Sequence, residues 1–156
     1  LPSAYIEQVI ALISLIKEKQ KVTIEVIKKV LGRKSVQQIL SDANSIGLIN
    51  ISHNKVFTLS KLGKIFAKLN SQSCNIIKEF MSKKNNIEKY IKELAHYRLA
   101  NHTELLRNVM VNYGRCDWTD STWNWRGKVL ANWLEYARVI ERKAGSVKIK
   151  TQGELF

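Results

Sequence analysis

Apolar residues recur along this chain at two spacings, and the spacing changes mark its elements. From Ser3 to Lys19 they fall three and four apart, at Ile6, Val9, Ile10, Ile13 and Ile16 with Leu15 beside them. That period predicts a helix with a wide buried face, and Lys17–Lys21 reads as its solvated end. Thr23 is a residue type that accepts hydrogen bonds from the free amides of a helix start, so it caps a short helix over 24–31 that Gly32 closes. Gly32-Arg33-Lys34 reads as a turn. Ser35 caps a third helix from Val36 to about Ile46. Its apolar face holds Val36, Ile39, Leu40, Ala43 and Ile46; Lys34, Gln37, Gln38, Ser41 and Ser45 lie opposite. After Gly47 the period drops to two. Residues 48–52 and 55–59 alternate as strands around His53-Asn54, and a helix from Ser60 to Leu69 follows.

The second half repeats the plan. Asn70–Ser73 is a polar joint, and helices are expected over 74–84 and 87–97. Asn101-His102-Thr103 caps a helix over 104–113, ended by Gly114. Thr119-Asp120-Ser121-Thr122 is a dense cap signal for a helix running to about Arg138. Strands over Val139–Arg142 and Val147–Lys150 flank a tight turn, Lys143-Ala144-Gly145-Ser146. Three helices and a hairpin, twice over, predict a mainly α protein with two small β-hairpins, a tandem winged helix-turn-helix. The expected domains are 1–70 and 85–156, with a linker helix over 71–84. A shift of 91 residues lays Ile39 on Leu130, Ala43 on Leu134, Ile46 on Ala137, Leu48-Ile49 on Val139-Ile140, and Val56 and Thr58 on Val147 and Ile149. The match is of pattern rather than identity.

Charge turns this architecture towards a partner. The 156 residues carry 26 Lys and Arg against 13 Asp and Glu, a net charge of +13. Such an excess favours polyanions, nucleic acid first and anionic membrane second, although an AT-rich genome also enriches lysine. No stretch approaches the ~20 apolar residues of a membrane span. The longest run, Val9–Ile16, contains Ser14 and reads as a buried helix. No signal peptide is visible, and a chain starting at Leu1 reads as a fragment of something longer. Cys74 and Cys116 share no metal spacing and read as reduced thiols of a cytoplasmic, nucleoid-associated protein.

A helix-turn-helix sets the exposed start of its third helix into the major groove. Lys and Arg hold phosphates there, while Arg, Gln and Asn read base edges. The candidates in the first domain are Arg33, Lys34, Ser35, Gln37, Gln38 and Ser41, with His53, Asn54 and Lys55 on the wing. Gln37 and Gln38 suit adenine N6 and N7; as ordinary surface residues they need no such role. In the second domain the wheel puts Leu130, Trp133, Leu134 and Ala137 inside and Asn124, Lys128, Ala131 and Glu135 outside. The reading candidates there are Ser121, Thr122, Asn124 and Lys128, with Arg142, Lys143 and Lys148 on the wing. Arg126 turns towards the core side, and either reaches a phosphate sideways or pairs with Asp117 or Asp120. Trp118, Trp123 and Trp125 are of a type that stacks on unpaired bases; Trp123 and Trp133 read better as packing, and Trp125 is open between the two.

Catalytic signals are missing. His53, His96 and His102 lack zinc-like spacing, and the seven glycines form no phosphate loop. Glu141-Arg142-Lys143 has the Glu-x-Lys spacing of metal-dependent nucleases, but the only proline is Pro2, so the matching Pro-Asp segment is absent. The expectation is a non-enzymatic segment with no metal and no cofactor.

Two segments carry a resemblance. Leu59-Ser60-Lys61-Leu62-Gly63-Lys64 resembles the Leu-Thr-x-x-Gly stretch that follows many wings. Asp120-Ser121-Thr122-Trp123 with Trp133-Leu134-Glu135-Tyr136-Ala137-Arg138 resembles the second winged helix of bacterial and archaeal tandem modules. Over about residues 35–150 the layout is similar to the DNA-recognition region of type IIS restriction endonucleases and nicking enzymes. That resemblance implies a double-stranded DNA partner, base reading by residues 33–41 and 121–128, and a parent restriction or defence protein whose separate domain cuts. Tandem winged helices also occur as regulatory domains of ATPases, which implies instead a protein contact through Trp118, Trp125 and Tyr136. A transcriptional regulator is a third reading.

Overall fold

A computed structural model describes residues 1–96, 100–111, 118–143 and 146–149. The described residues are mainly helical, with two small antiparallel sheets. The chain separates into two compact units. One is Ser3–Ile76; the other is Ile77–Phe156 together with Leu1–Pro2.

In the first unit, α1 (Ile6–Lys19) buries Val9, Leu12, Ile13 and Ile16 completely. Gln20, at φ 67°, turns the chain out of the helix and into β1 (Lys21–Thr23). The solvated helix end expected over 17–21 is exposed as read but is helical only to Lys19, and Lys21 already belongs to the strand. Three residues with one inward side chain, Val22, are too few to show alternation. Thr23 then starts α2 (Ile24–Leu31), its hydroxyl accepting from the Val26 amide at 3.5 Å. The helix stops at Gly32, whose φ of 85° suits glycine. After α3 (Val36–Ile46) come β2 (Ile49–Ile51), β3 (Val56–Leu59) and α4 (Lys61–Phe66). The sheet order is β1-β3-β2, with Phe57 facing both Val22 and Ile51 in register.

The join between α3 and β2 is closed by two backbone bonds, from the Gly47 amide to Asn44 O and from the Leu48 amide to Ala43 O, each 3.0 Å. Such paired bonds satisfy the last carbonyls of a helix. Ser60 fastens the far side of the same corner. Its amide donates to Leu48 O at 3.0 Å, its hydroxyl donates to Gly47 O, and that hydroxyl also accepts from the Gly63 amide at 2.9 Å. A β-carbon on Gly63 would lie inside van der Waals contact of Leu48 O and 3.0 Å from Leu48 C. The Leu-Ser-x-x-Gly run is thus a clamp in which serine caps α4 and glycine lets it touch the backbone behind the hairpin. α4 is shorter than the expected 60–69 because the Lys68 and Leu69 amides reach back only to Ile65 and Phe66. α5 (Ser71–Ser82) crosses the boundary between the units.

The second unit holds α6 (Asn85–Leu94), β4 (Ala100–Asn101), α7 (His102–Val111), α8 (Asp120–Tyr136), β5 (Ile140–Lys143) and β6 (Ser146–Ile149). Its sheet order is β4-β6-β5, the order of the first sheet element for element. Asn101 caps α7 through its Oδ1, which accepts from the Thr103 and Glu104 amides at 3.0 and 3.1 Å. The helix-to-strand corner also recurs 91 residues on. The Arg138 amide donates to Glu135 O and the Val139 amide to Leu134 O, each at 3.0 Å, and Arg138 has φ 62° where the first unit has Gly47. Beyond this corner the expected overlay of Val56 on Val147 fails. Phe57 pairs with Ile51 in one sheet and Val147 with Arg142 in the other, so Val147 matches Phe57. The second hairpin is one residue shorter, and a one-residue slip exchanges the two faces of a strand. Phe57 and Val147 are accordingly the buried members of β3 and β6. Among the described residues no helix is long and apolar enough to cross a membrane.

Candidate nucleic-acid interface

In the first unit α3 is divided cleanly by its period. Val36, Ile39, Leu40, Ala43 and Ile46 are buried. Gln37, Gln38 and Ser41 are exposed, as are Arg33 and Lys34 in the turn before them. Ser35 departs from expectation. It precedes the helix in the left-handed conformation, at φ 68°, and its side chain makes no capping bond. A capping side chain needs extended backbone at its own residue, which Ser35 lacks, and its carbonyl joins the helix by accepting from the Ile39 amide at 2.9 Å. His53, Asn54 and Lys55 are exposed at the tip of the β2–β3 hairpin. Ser52 holds that tip. Its carbonyl accepts from the Lys55 amide at 3.0 Å and its hydroxyl from the Val56 amide at 3.2 Å, with Lys55 at φ 56°.

The local charge is one-sided. Residues 3–76 carry eleven Lys and Arg against four Asp and Glu, and from Val26 to Lys78 the sole acidic residue is Asp42. Asp42 is buried, and its Oδ2 accepts from the Ser3 and Ala4 amides at 2.8 and 2.7 Å. The side chains of Arg33, Lys34, Gln37, Gln38, Ser41, Asn54 and Lys55 have no partner among the described residues. Among the described residues neither Arg33, Lys34 nor Lys55 is ion-paired to a carboxylate, so the positive field of the face is not cancelled by direct pairing.

The second unit treats its matching residues differently. Thr119 caps α8, its hydroxyl accepting from the Thr122 amide at 3.3 Å. The shift of 91 sets Val36 opposite Gly127, so Asp120–Arg126 is a forward extension that α3 lacks. Aromatic and cationic side chains pack around that extension. Trp118 lies 4.7 Å from Trp123 between ring centres, and the Arg126 guanidinium sits 5.4 Å from Trp118 and 4.9 Å from Trp125. Arg107 covers Trp123 at 5.5 Å and pairs with Asp120 at 2.6 Å. Arg126 therefore rests on tryptophans and donates to Pro2 O at 3.4 Å, and the Asp120 expected for it is taken by Arg107. Asp117 lies outside the described residues.

Along α8, Ser121, Asn124 and Lys128 are exposed and Thr122 is half-buried. Asn124 accepts from the Thr103 hydroxyl at 3.2 Å. Ala131, expected on the outer face, is fully buried, and so are Val129 and nearly so Asn132. The simple wheel fails because a 17-residue helix covered on more than one side has no single outer stripe. Val129 and Asn132 occupy the places of Gln38 and Ser41. The hairpin cations are paired. Arg142 reaches Glu135 through Nε at 3.3 Å and Nη2 at 3.1 Å, and Lys148 reaches Glu141 at 3.3 Å. Sequence reading missed the first pair, because a helix end and a strand seven residues on follow no local spacing rule. The side chain of Lys143 and the turn residues Ala144 and Gly145 lie outside the described residues.

Among the described residues no group of three or more His, Cys, Asp and Glu is placed to hold a metal ion. Comparison with protein-family models, with curated proteins and with solved structures finds no match.

Proposed function

We infer that the chain is a double-stranded DNA-binding module built of two winged-helix units. The observation that carries this reading is the first unit's exposed face, where Arg33, Lys34, Gln37, Gln38 and Ser41 line α3 beside the Lys55 hairpin tip with no exposed carboxylate from Val26 to Lys78. The sheet order β1-β3-β2 supports the winged-helix part, since it flanks the third helix with a hairpin free to act as a wing. In this arrangement α3 enters the major groove. Arg33 and Lys34 contact phosphates at its start, Gln37, Gln38 and Ser41 face base edges, and Lys55 grips the backbone from the wing. Phosphate neutralisation supplies most of the affinity and makes it fall steeply with salt. The resemblance and the charge support a parent restriction or defence protein at the cytoplasmic nucleoid, in which a separate domain cuts the strands. A protein contact through Trp118, Trp125 and Tyr136 is the weaker alternative, because the first two rings already have the Arg126 guanidinium against them.

The test is selection from a randomised duplex pool by the whole chain at two salt concentrations, with sequencing of the retained duplexes. An enriched motif and salt-sensitive retention are expected. No retention at low salt, despite a net charge of +13, would refute the reading.

A further inference from the structure

We propose that only the first unit reads duplex DNA, so the chain recognises one contiguous, non-repeated site rather than two half-sites. The inference rests on the DNA-binding reading above and adds which unit carries it. The two units share sheet order, the helix-to-strand corner and the 91-residue shift, so their faces can be compared position by position. Gln37 matches Lys128, and both are exposed. Gln38 matches Val129 and Ser41 matches Asn132, and those two are buried. A side chain without solvent exposure cannot reach a base edge, so the counterpart of α3's reading stripe is closed beyond its first residue.

The hairpins differ in the same sense. Lys55 has no partner among the described residues, whereas Arg142 and Lys148 are bound to Glu135 and Glu141. A phosphate approaching either cation meets a carboxylate 3.1 or 3.3 Å from it. Binding there would exchange an ion pair for a phosphate contact and leave a carboxylate facing the DNA. At the start of α8, Asp120 stands on the extension where the first unit has no acid. A single α3 with one wing spans about one turn of duplex, roughly 10 base pairs, in which three or four side chains reach base edges.

Matched charge removal separates the units. One variant of the whole chain carries Arg33→Gln, Lys34→Gln and Lys55→Gln; the other carries Lys128→Gln, Arg142→Gln and Lys148→Gln. Each loses three positive charges, so a bulk electrostatic effect is equal in both. Binding to the enriched duplex is followed over a salt series, with circular dichroism as the folding check. The first variant is expected to bind more than tenfold more weakly, with the slope of log K against log salt reduced by about 2 to 3, near 0.9 per lost phosphate contact. The second variant is expected to stay within about threefold of the parent, since it removes no phosphate contact. Equal losses, or a larger loss in the second variant, would overturn the assignment. Amide exchange of the unaltered chain gives an independent readout. Duplex should protect the peptides covering 33–46 and 51–56, and protection centred on 120–136 would overturn the proposal. If the parent binds no duplex at all, the DNA-binding reading fails and this inference fails with it.

Discussion

Replacing Gly63 by alanine tests the corner on which the first unit's hairpin depends. In an open helix the change stabilises by about 1 kcal/mol, because glycine loses more backbone freedom on folding. At Gly63 the sign should reverse. The new β-carbon would overlap Leu48 O and stand 3.0 Å from Leu48 C. Leu48 cannot yield easily, because its amide donates to Ala43 O and its carbonyl accepts from Ser60, each at 3.0 Å. Relief requires α4 to move off the strand, which weakens the Ser60 bond by about 1 kcal/mol. Overpacking against a fixed neighbour costs about 1–3 kcal/mol more. After the helix-propensity gain, a net loss of about 1–3 kcal/mol is left. Urea unfolding followed by far-ultraviolet circular dichroism reads that loss as a lower midpoint. All four tryptophans lie at 118–133, so their fluorescence follows the second unit separately. An unchanged or raised midpoint for Gly63→Ala would refute the close approach of α4 to Leu48.

Other expectations are equally direct. The Tyr90 hydroxyl is buried without a hydrogen-bond partner among the described residues, so Tyr90→Phe should leave stability unchanged or raise it by up to about 1 kcal/mol; a loss above that would mean a partner exists. Burial also pushes the Tyr90 phenol up from its ordinary value of 10.0, so the folded state keeps its proton where the unfolded chain releases it. Stability from this group is full below pH 10.0 and falls above it, and alkaline titration of Tyr90→Phe should show a shallower decline than the parent. Asp42→Ala removes the carboxylate that accepts from the Ser3 and Ala4 amides and should cost about 1–3 kcal/mol in urea unfolding, with a loss below about 0.5 kcal/mol contradicting the role given to that carboxylate. Gln37→Ala with Gln38→Ala should flatten the selected motif at its A·T positions while leaving non-specific affinity intact, since each bidentate contact discriminates by about 1–3 kcal/mol; an unchanged motif would remove both residues from base reading.

The first unit was largely legible because its elements announce themselves locally. Thr23, Gly32, Gly47 and Ser60 stand at helix ends for reasons of hydrogen bonding or positive φ, and each lies where its residue type predicts. The strands β1 and β4 were not legible, since two or three residues carry no measurable period and their pairing with β3 and β6 is long-range. Ser35 shows that a capping residue type at the right place need not cap, because the turn before it sets a left-handed φ. The candidate site divides along the same line. Exposure of the α3 stripe followed from its period. The second unit's burial of Val129, Ala131 and Asn132, and its pairing of Arg142 with Glu135, arise from tertiary packing that no local pattern records.

The most direct measurement is an anisotropy titration of the whole chain with a labelled duplex of about 20 base pairs over a salt series, beside the matching single strand. One reading head touching about three or four phosphates predicts duplex affinity that falls with a log–log slope near −3, with weaker binding of the single strand. Binding that is insensitive to salt, preference for the single strand, or no binding at low salt would contradict the account.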